Sequence, residues 1–153
     1  MNIGDKIPEI LGTDQNGNEV KTADFKGRKI ILYFYPKDNT PGCTAEACSL
    51  RDHYDELLET GYEVIGVSAD NEESHRRFIE KQQLPFRLIA DTDKKLIEAM
   101  GVWGEKNMYG RITMGLLRTT FLIDEEGRVE HVFAPRQIKT KTHAEQILKH
   151  HRP

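Results

Sequence analysis

The sequence predicts an α/β fold with a central mixed β-sheet flanked by helices. Three observations carry that expectation. Ile30 to Tyr35 is a near-continuous run of β-branched and aromatic residues, the pattern of a strand buried on both faces. A segment with apolar residues at helical spacing follows, and then a second β-rich run, Tyr62 to Ser68. Strand, helix and strand of this length read as a right-handed parallel βαβ unit. Late in the chain, Arg118–Asp124 and Arg128–Phe133 flank Glu125-Glu126-Gly127, a hairpin signal that adds antiparallel strands. On pattern alone a flavodoxin-like arrangement stays a rival to a thioredoxin-like one.

Each element has a local reason. Ile7 to Leu11 is a short apolar start interrupted by Pro8. Asp14-Gln15-Asn16-Gly17-Asn18 is a turn between two short strands, an N-terminal β-hairpin. Thr22–Gly27 reads as one helical turn with a glycine stop. Lys29–Pro36 is the first core strand. A loop follows, and then a long helix with Leu50, Tyr54, Leu57 and Leu58 at helical spacing, running to about Thr60 before Gly61. Asn71–Gln83 is a polar helix capped by Asp70 or Asn71, with Phe78 and Ile79 inward. Arg87–Ala90 is a short strand and Asp93–Met100 a short helix. Gly101–Gly115 contains four glycines beside Trp103, Met108, Tyr109, Ile112 and Met114, and reads as a long loop that packs. Thr142–His151 closes the chain as a helix with Ala144, Ile147 and Leu148 inward.

Composition narrows the function. The 153 residues suffice for one domain with a real core, taken as residues 1–153. The net charge is −3 with both signs spread along the chain and no basic block, so nucleic acid is not an expected partner. No stretch approaches the length of a membrane span. The start, Met1-Asn2-Ile3-Gly4-Asp5-Lys6, lacks the apolar core of a secretory leader, so a cytoplasmic location is expected. In a reducing compartment the two cysteines are not a structural staple. The six histidines form no ligand set, and solvated surface is the expectation for all of them. There is no metal-binding spacing, no Gly-x-Gly-x-x-Gly and no P-loop, so neither a metal nor a cofactor is implied.

Both cysteines lie in one stretch, Tyr35-Pro36-Lys37-Asp38-Asn39-Thr40-Pro41-Gly42-Cys43-Thr44-Ala45-Glu46-Ala47-Cys48. Cys43 falls where the first helical turn begins, among unpaired N–H groups and the positive end of the helix dipole, a setting that favours thiolate. Thr40 places a hydroxyl three residues earlier, ready to cap the helix or to meet the sulfur or a bound oxygen. The plain alternative for Cys43 is a small buried hydrophobe, and for Cys48 a core-facing helix residue. Five residues along an ideal helix separate the two Cα atoms by about 8.7 Å, whereas a disulfide needs them within about 7 Å. The two sulfurs therefore cannot bond while the helix is intact, and any pairing requires local unwinding.

This stretch resembles the peroxiredoxin active site, whose Pro-x-x-x-Thr-x-x-Cys motif is matched by Pro36, Thr40 and Cys43. The longer run from Tyr35 to Thr44 is similar to the bacterioferritin comigratory, or Q-type, branch, and the likeness extends over nearly the whole chain. The resemblance selects the thioredoxin-like fold. It implies a peroxidatic role for Cys43 and a resolving role for Cys48, with an intramolecular disulfide between them. It also implies that Arg118, opening the run Thr119-Thr120-Phe121-Leu122-Ile123-Asp124, reaches the peroxidatic sulfur; unaided, such an arginine reads as a solvated strand end. Pro36 would shield the thiolate besides ending its strand. Trp103 and Tyr109 either wall the pocket or pack within their loop. The implied substrates are hydrogen peroxide and alkyl hydroperoxides, and thioredoxin or a similar dithiol is the implied reductant. A monomer is expected. Two other readings share the thiol chemistry: a peroxide sensor that oxidises a partner, and a thiol–disulfide oxidoreductase acting on proteins. Leu50 departs from the family pattern, where many relatives have an aromatic residue, and Lys149-His150-His151-Arg152-Pro153 has no counterpart in it.

Overall fold

The computed structural model describes residues 1–151, except for the side chain of Met108; Arg152 and Pro153 of the basic tail lie outside the described residues. Strands β1 (Ile10–Thr13) and β2 (Glu19–Lys21) pair antiparallel. Asp14 Oδ1 holds their turn by accepting from Asn16 N at 2.9 Å and Asn18 N at 3.0 Å. A 3-10 turn, Thr22–Phe25, leads into β3 (Lys29–Phe34). Helix α1 (Pro41–Asp52) and helix α2 (Tyr54–Glu59) stand where a single helix to Thr60 is expected. The break has a local cause. His53 Nδ1 lies 3.0 Å from Ser49 O, the carbonyl an unbroken helix spends on the His53 N–H.

Then come β4 (Tyr62–Ser68), α3 (Glu72–Gln82), β5 (Arg87–Ala90) and α4 (Lys95–Ala99). Asn71 caps α3 by accepting from Ser74 N at 2.8 Å, which decides between the two expected caps. The stretch after Gly101 is not a loop. It is a second hairpin, β6 (Trp103–Met108) and β7 (Arg111–Leu116), paired in register from Trp103↔Leu116 to Met108↔Arg111. Tyr109 and Gly110 turn it with φ of +55° and +80°, the left-handed pair of a primed two-residue turn. Tyr109 is fully exposed, so it walls no pocket, and Trp103 packs half-buried under the ammonium of Lys94 at 4.8 Å. Strands β8 (Thr119–Ile123) and β9 (Val129–Phe133) form the expected late hairpin, and α5 (His143–His151) closes the chain.

Five strands form one sheet in the order β5-β4-β3-β8-β9. β3, β4 and β5 run parallel, while β8 and β9 are antiparallel additions, so the sheet is mixed as expected. The apolar run of β3 is buried on both faces. Ile30, Leu32 and Phe34 point into one core with Leu96, Ile97 and Phe121; Ile31, Tyr33 and Tyr35 point into the other with Ala47, Leu50, Phe78 and Ile147. Helices α1, α3 and α5 cover this second face. Leu50 is fully buried there, and shortening it to alanine costs about 2–5 kcal/mol. No helix among the described residues is long and apolar enough to cross a membrane.

Candidate active site

The site begins at the C-terminal end of β3, where the chain leaves the sheet through residues 35–40 and enters α1. Cys43 is the third residue of α1 and is 1% exposed. The first intrahelical bond runs from Thr44 N to Thr40 O at 2.8 Å. The N–H groups of Gly42 and Cys43 precede it, at the positive end of the dipole. Phe34 pairs with Thr119 across the sheet, so the preceding residue, Arg118, stands level with the exit of β3. Its Nη2 donates to Cys43 Sγ at 3.4 Å and its Nη1 to Glu46 Oε1 at 2.7 Å. A Cβ on Gly42 would lie 3.2 Å from Nη2, so the guanidinium fills the space a side chain there would need.

Glu46 is the site residue that the sequence conceals. It lies one turn after Cys43 on the same face of α1 and is fully buried. Burial pushes its carboxyl up to about 7, against the pull of Arg118. Arg118 is raised in turn: burial works against its charge, and Glu46 and Cys43 outweigh burial. Glu46 Oε2 has no hydrogen-bond partner among the described residues and sits 3.8 Å from His143 Nε2. His143 is buried, contrary to the expectation of solvated histidines. Its Nδ1 lies 2.9 Å from Gln146 Oε1 and its Nε2 2.8 Å from Thr120 Oγ1. The amide oxygen only accepts, so Nδ1 carries the hydrogen and Nε2 accepts from the threonine. Burial lowers His143 to about 4, which keeps the ring neutral near pH 7.

The loop before α1 is fixed from beneath. Asp38 Oδ1 accepts from Tyr35 OH at 2.6 Å, and Asp38 Oδ2 accepts from Ser74 Oγ at 2.8 Å. Fully buried His75 pairs with the same oxygen at 2.7 Å and donates through Nε2 to Ile89 O at 2.9 Å. His75 is thus a second correction to the solvated-histidine expectation. Asp70 Oδ2 joins by accepting from Asp38 N at 2.9 Å. Asp38, Asp70 and His75 place ligand-type atoms within 4.8 Å of one another, and these hydrogen bonds engage all three side chains.

Of the five residues the sequence singles out, Cys43 and Arg118 are in direct contact. Thr40 occupies the N-cap position, yet its hydroxyl donates to Lys37 O at 2.8 Å and caps no helix N–H. Pro36 is half-buried at the mouth of the loop. Cys48 is half-buried farther along α1, with its S–H donating to Gln82 Oε1 at 3.5 Å. Both cysteines are free, and the helix between them is continuous, as their spacing requires.

Comparison with known proteins shows the family. Residues 3–132 match the AhpC/TSA family model. The chain is 45% identical over 148 residues to Peroxiredoxin Bcp of Escherichia coli (strain K12), covering 97% of this chain and 94% of that one. It is 46% identical over 148 residues to Peroxiredoxin Bcp of Bacillus subtilis (strain 168), with coverage of 97% and 93%. Among solved structures, a PrxQ mutant from Xylella fastidiosa superposes with a TM-score of 0.87 at 33% identity, over 100% of this chain and 98% of that one. The bacterioferritin comigratory protein of Xanthomonas campestris, solved in work on its alkyl peroxide reduction activity, gives a TM-score of 0.87 at 33% identity, with coverage of 99% and 98%. These neighbours have the thioredoxin fold, as the sequence predicts. The chain belongs to the AhpC/TSA family as a peroxiredoxin of the bacterioferritin comigratory type, a thiol-dependent peroxidase that acts on peroxides at the expense of a thiol reductant.

Proposed function

We propose that Cys43 is the peroxidatic thiol of this peroxidase and Cys48 its resolving thiol. The observation that carries the first assignment is the 3.4 Å contact between Arg118 Nη2 and Cys43 Sγ at the start of α1. A fixed cation meets the sulfur there, at a helix start whose first N–H groups precede the first intrahelical bond. A thiolate nucleophile and a departing oxyanion need both.

The Cys43 thiolate attacks one oxygen of hydrogen peroxide or an alkyl hydroperoxide. The O–O bond breaks, sulfur keeps that oxygen as a sulfenic acid, and the other leaves as hydroxide or alkoxide, which takes a proton from solvent. Arg118 and the N–H groups of Gly42 and Cys43 hold the oxygens. The Thr40 hydroxyl joins them by leaving Lys37 O, and Pro36 covers the sulfur. α1 then unwinds, the Cys48 thiolate attacks the sulfenic sulfur, hydroxide departs as water, and the disulfide forms. A dithiol protein, thioredoxin, restores both thiols by exchange. We place residues 1–153 in a single domain acting as a monomer in the cytoplasm, where a reducing thiol pool suits a disulfide that must be reopened each cycle.

Intact mass after one equivalent of hydrogen peroxide tests this. The reduced wild type should lose two hydrogens, and Cys48→Ser should gain one oxygen on Cys43. If the wild type stops at one added oxygen, Cys48 does not resolve. If neither protein reacts within minutes, Cys43 is not peroxidatic.

A further inference from the structure

Gln82, the last residue of α3, touches the second half of α1 twice. Its Oε1 accepts from the Cys48 S–H at 3.5 Å, and its main-chain oxygen accepts from Arg51 Nη1 at 2.7 Å. That carbonyl is one of those a helix C-terminus leaves unpaired, and the dipole favours a cation on it. The anchor behind it is firm. Gln83 ends α3 in the left-handed conformation, and the next turn buries Leu84 and Phe86 in the core. One residue therefore pins both Cys48 and the helical turn that carries it. Neither contact touches Cys43, Arg118 or the loop before them.

We propose that Gln82 is a positioning residue for the resolving step, a latch that holds Cys48 on the folded helix and sets how fast it reaches the oxidised Cys43. The role rests on Cys48 being the resolving thiol. Cys48 cannot approach Cys43 within α1, so the attack passes through an opened helix in which the Gln82 contacts are broken. Contacts made only in the closed state slow opening and leave the first reaction alone. A slower resolving step also leaves the sulfenic acid exposed longer to a second peroxide, which carries it to sulfinic acid.

Gln82→Met removes the acceptor, keeps the side-chain length and leaves the carbonyl that binds Arg51. Gln82→Glu keeps an acceptor oxygen. Each is mixed rapidly with excess hydrogen peroxide and quenched, and the species are counted by mass. Sulfenic acid formation, first order in peroxide, should match wild type in both variants. Disulfide formation, independent of peroxide, should be about three- to tenfold faster in Gln82→Met, the worth of one ordinary hydrogen bond. It should return toward the wild-type rate in Gln82→Glu. The sulfinic fraction at high peroxide should fall in Gln82→Met by a matching factor. An unchanged or slower disulfide step in Gln82→Met overturns the latch, as does an equal acceleration in Gln82→Glu. If the wild type itself forms no disulfide, the assignment of Cys48 has failed and the latch fails with it.

Discussion

The two cysteines of α1 are held in different ways. The first half is locked into the protein interior: Cys43 and Glu46 are 1% and 0% exposed and share one guanidinium. The second half also buries Ala47, Ser49 and Leu50, but the side that carries the other sulfur is tied at the surface. Cys48 and Arg51 are half-buried and meet the end of α3 through one thiol hydrogen bond and one contact to a carbonyl. Cys43 is held fixed by a buried setting, whereas the Cys48 side of the helix rests on two polar ties. A peroxidase that resolves within its own helix needs both. On the roles proposed for the two cysteines, rigidity around Cys43 speeds attack on the peroxide, while rigidity around Cys48 would stall the cycle.

Breaking the first half should have the largest effect. Arg118→Met keeps the stem and removes the charge. It should lower kcat/KM for hydrogen peroxide by about 10²- to 10³-fold, as loss of an oxyanion donor does elsewhere, with the folded structure intact by circular dichroism. Gly42→Ala tests the same half more gently. The added methyl pushes on Arg118 Nη2 from 3.2 Å, and stopped-flow oxidation of Cys43 should slow by about tenfold through misplacement of the guanidinium.

Glu46→Gln sharpens the comparison through pH. The Glu46 carboxyl moves from 4.5 to about 7 on folding, so between those values the folded state binds the proton more tightly than the unfolded chain. Stability from this group is full below pH 4.5 and is lost as pH rises through about 7. His143 runs the other way. It falls from 6.5 to about 4, and its contribution is present above 6.5 and lost as pH falls toward 4. Urea midpoints of Glu46→Gln should therefore climb more steeply from pH 4.5 to 6.5 than those of the wild type, and should not fall between pH 6.5 and 7.5. The smallest effect is expected at the join of α1 and α5. Ser49 Oγ accepts from Ala144 N at 3.0 Å, so Ser49→Ala leaves a helix-start N–H unpaired and should cost about 1 kcal/mol in urea unfolding. Cys43 oxidation should not change.

How much of this is legible in the sequence depends on how local each signal is. The βαβ start, the late hairpin and the position of Cys43 at a helix start all follow from residues next to one another. The β6–β7 hairpin does not. Its turn is Tyr109-Gly110 rather than an Asn-Gly type, and Trp103–Met108 does not alternate; Arg111–Leu116 does alternate, but its Ile112 and Met114 are exposed and mark no core face. Polar residues buried by distant partners are also silent. Glu46 reads as a solvated helix position because Arg118, which makes it a site residue, is 72 residues away in the chain. His75 and His143 are hidden for the same reason. Their partners Asp38 and Thr120 lie 37 and 23 residues away.

Hydrogen exchange along α1, read in the reduced protein and again after one equivalent of hydrogen peroxide, tests most directly whether this helix must open. The amides from Thr44 to Cys48 should be protected in the reduced protein and lose that protection once the disulfide has formed, while those of β3 stay protected in both. Full protection of Thr44 to Cys48 in a protein shown by mass to carry the Cys43–Cys48 disulfide would contradict it.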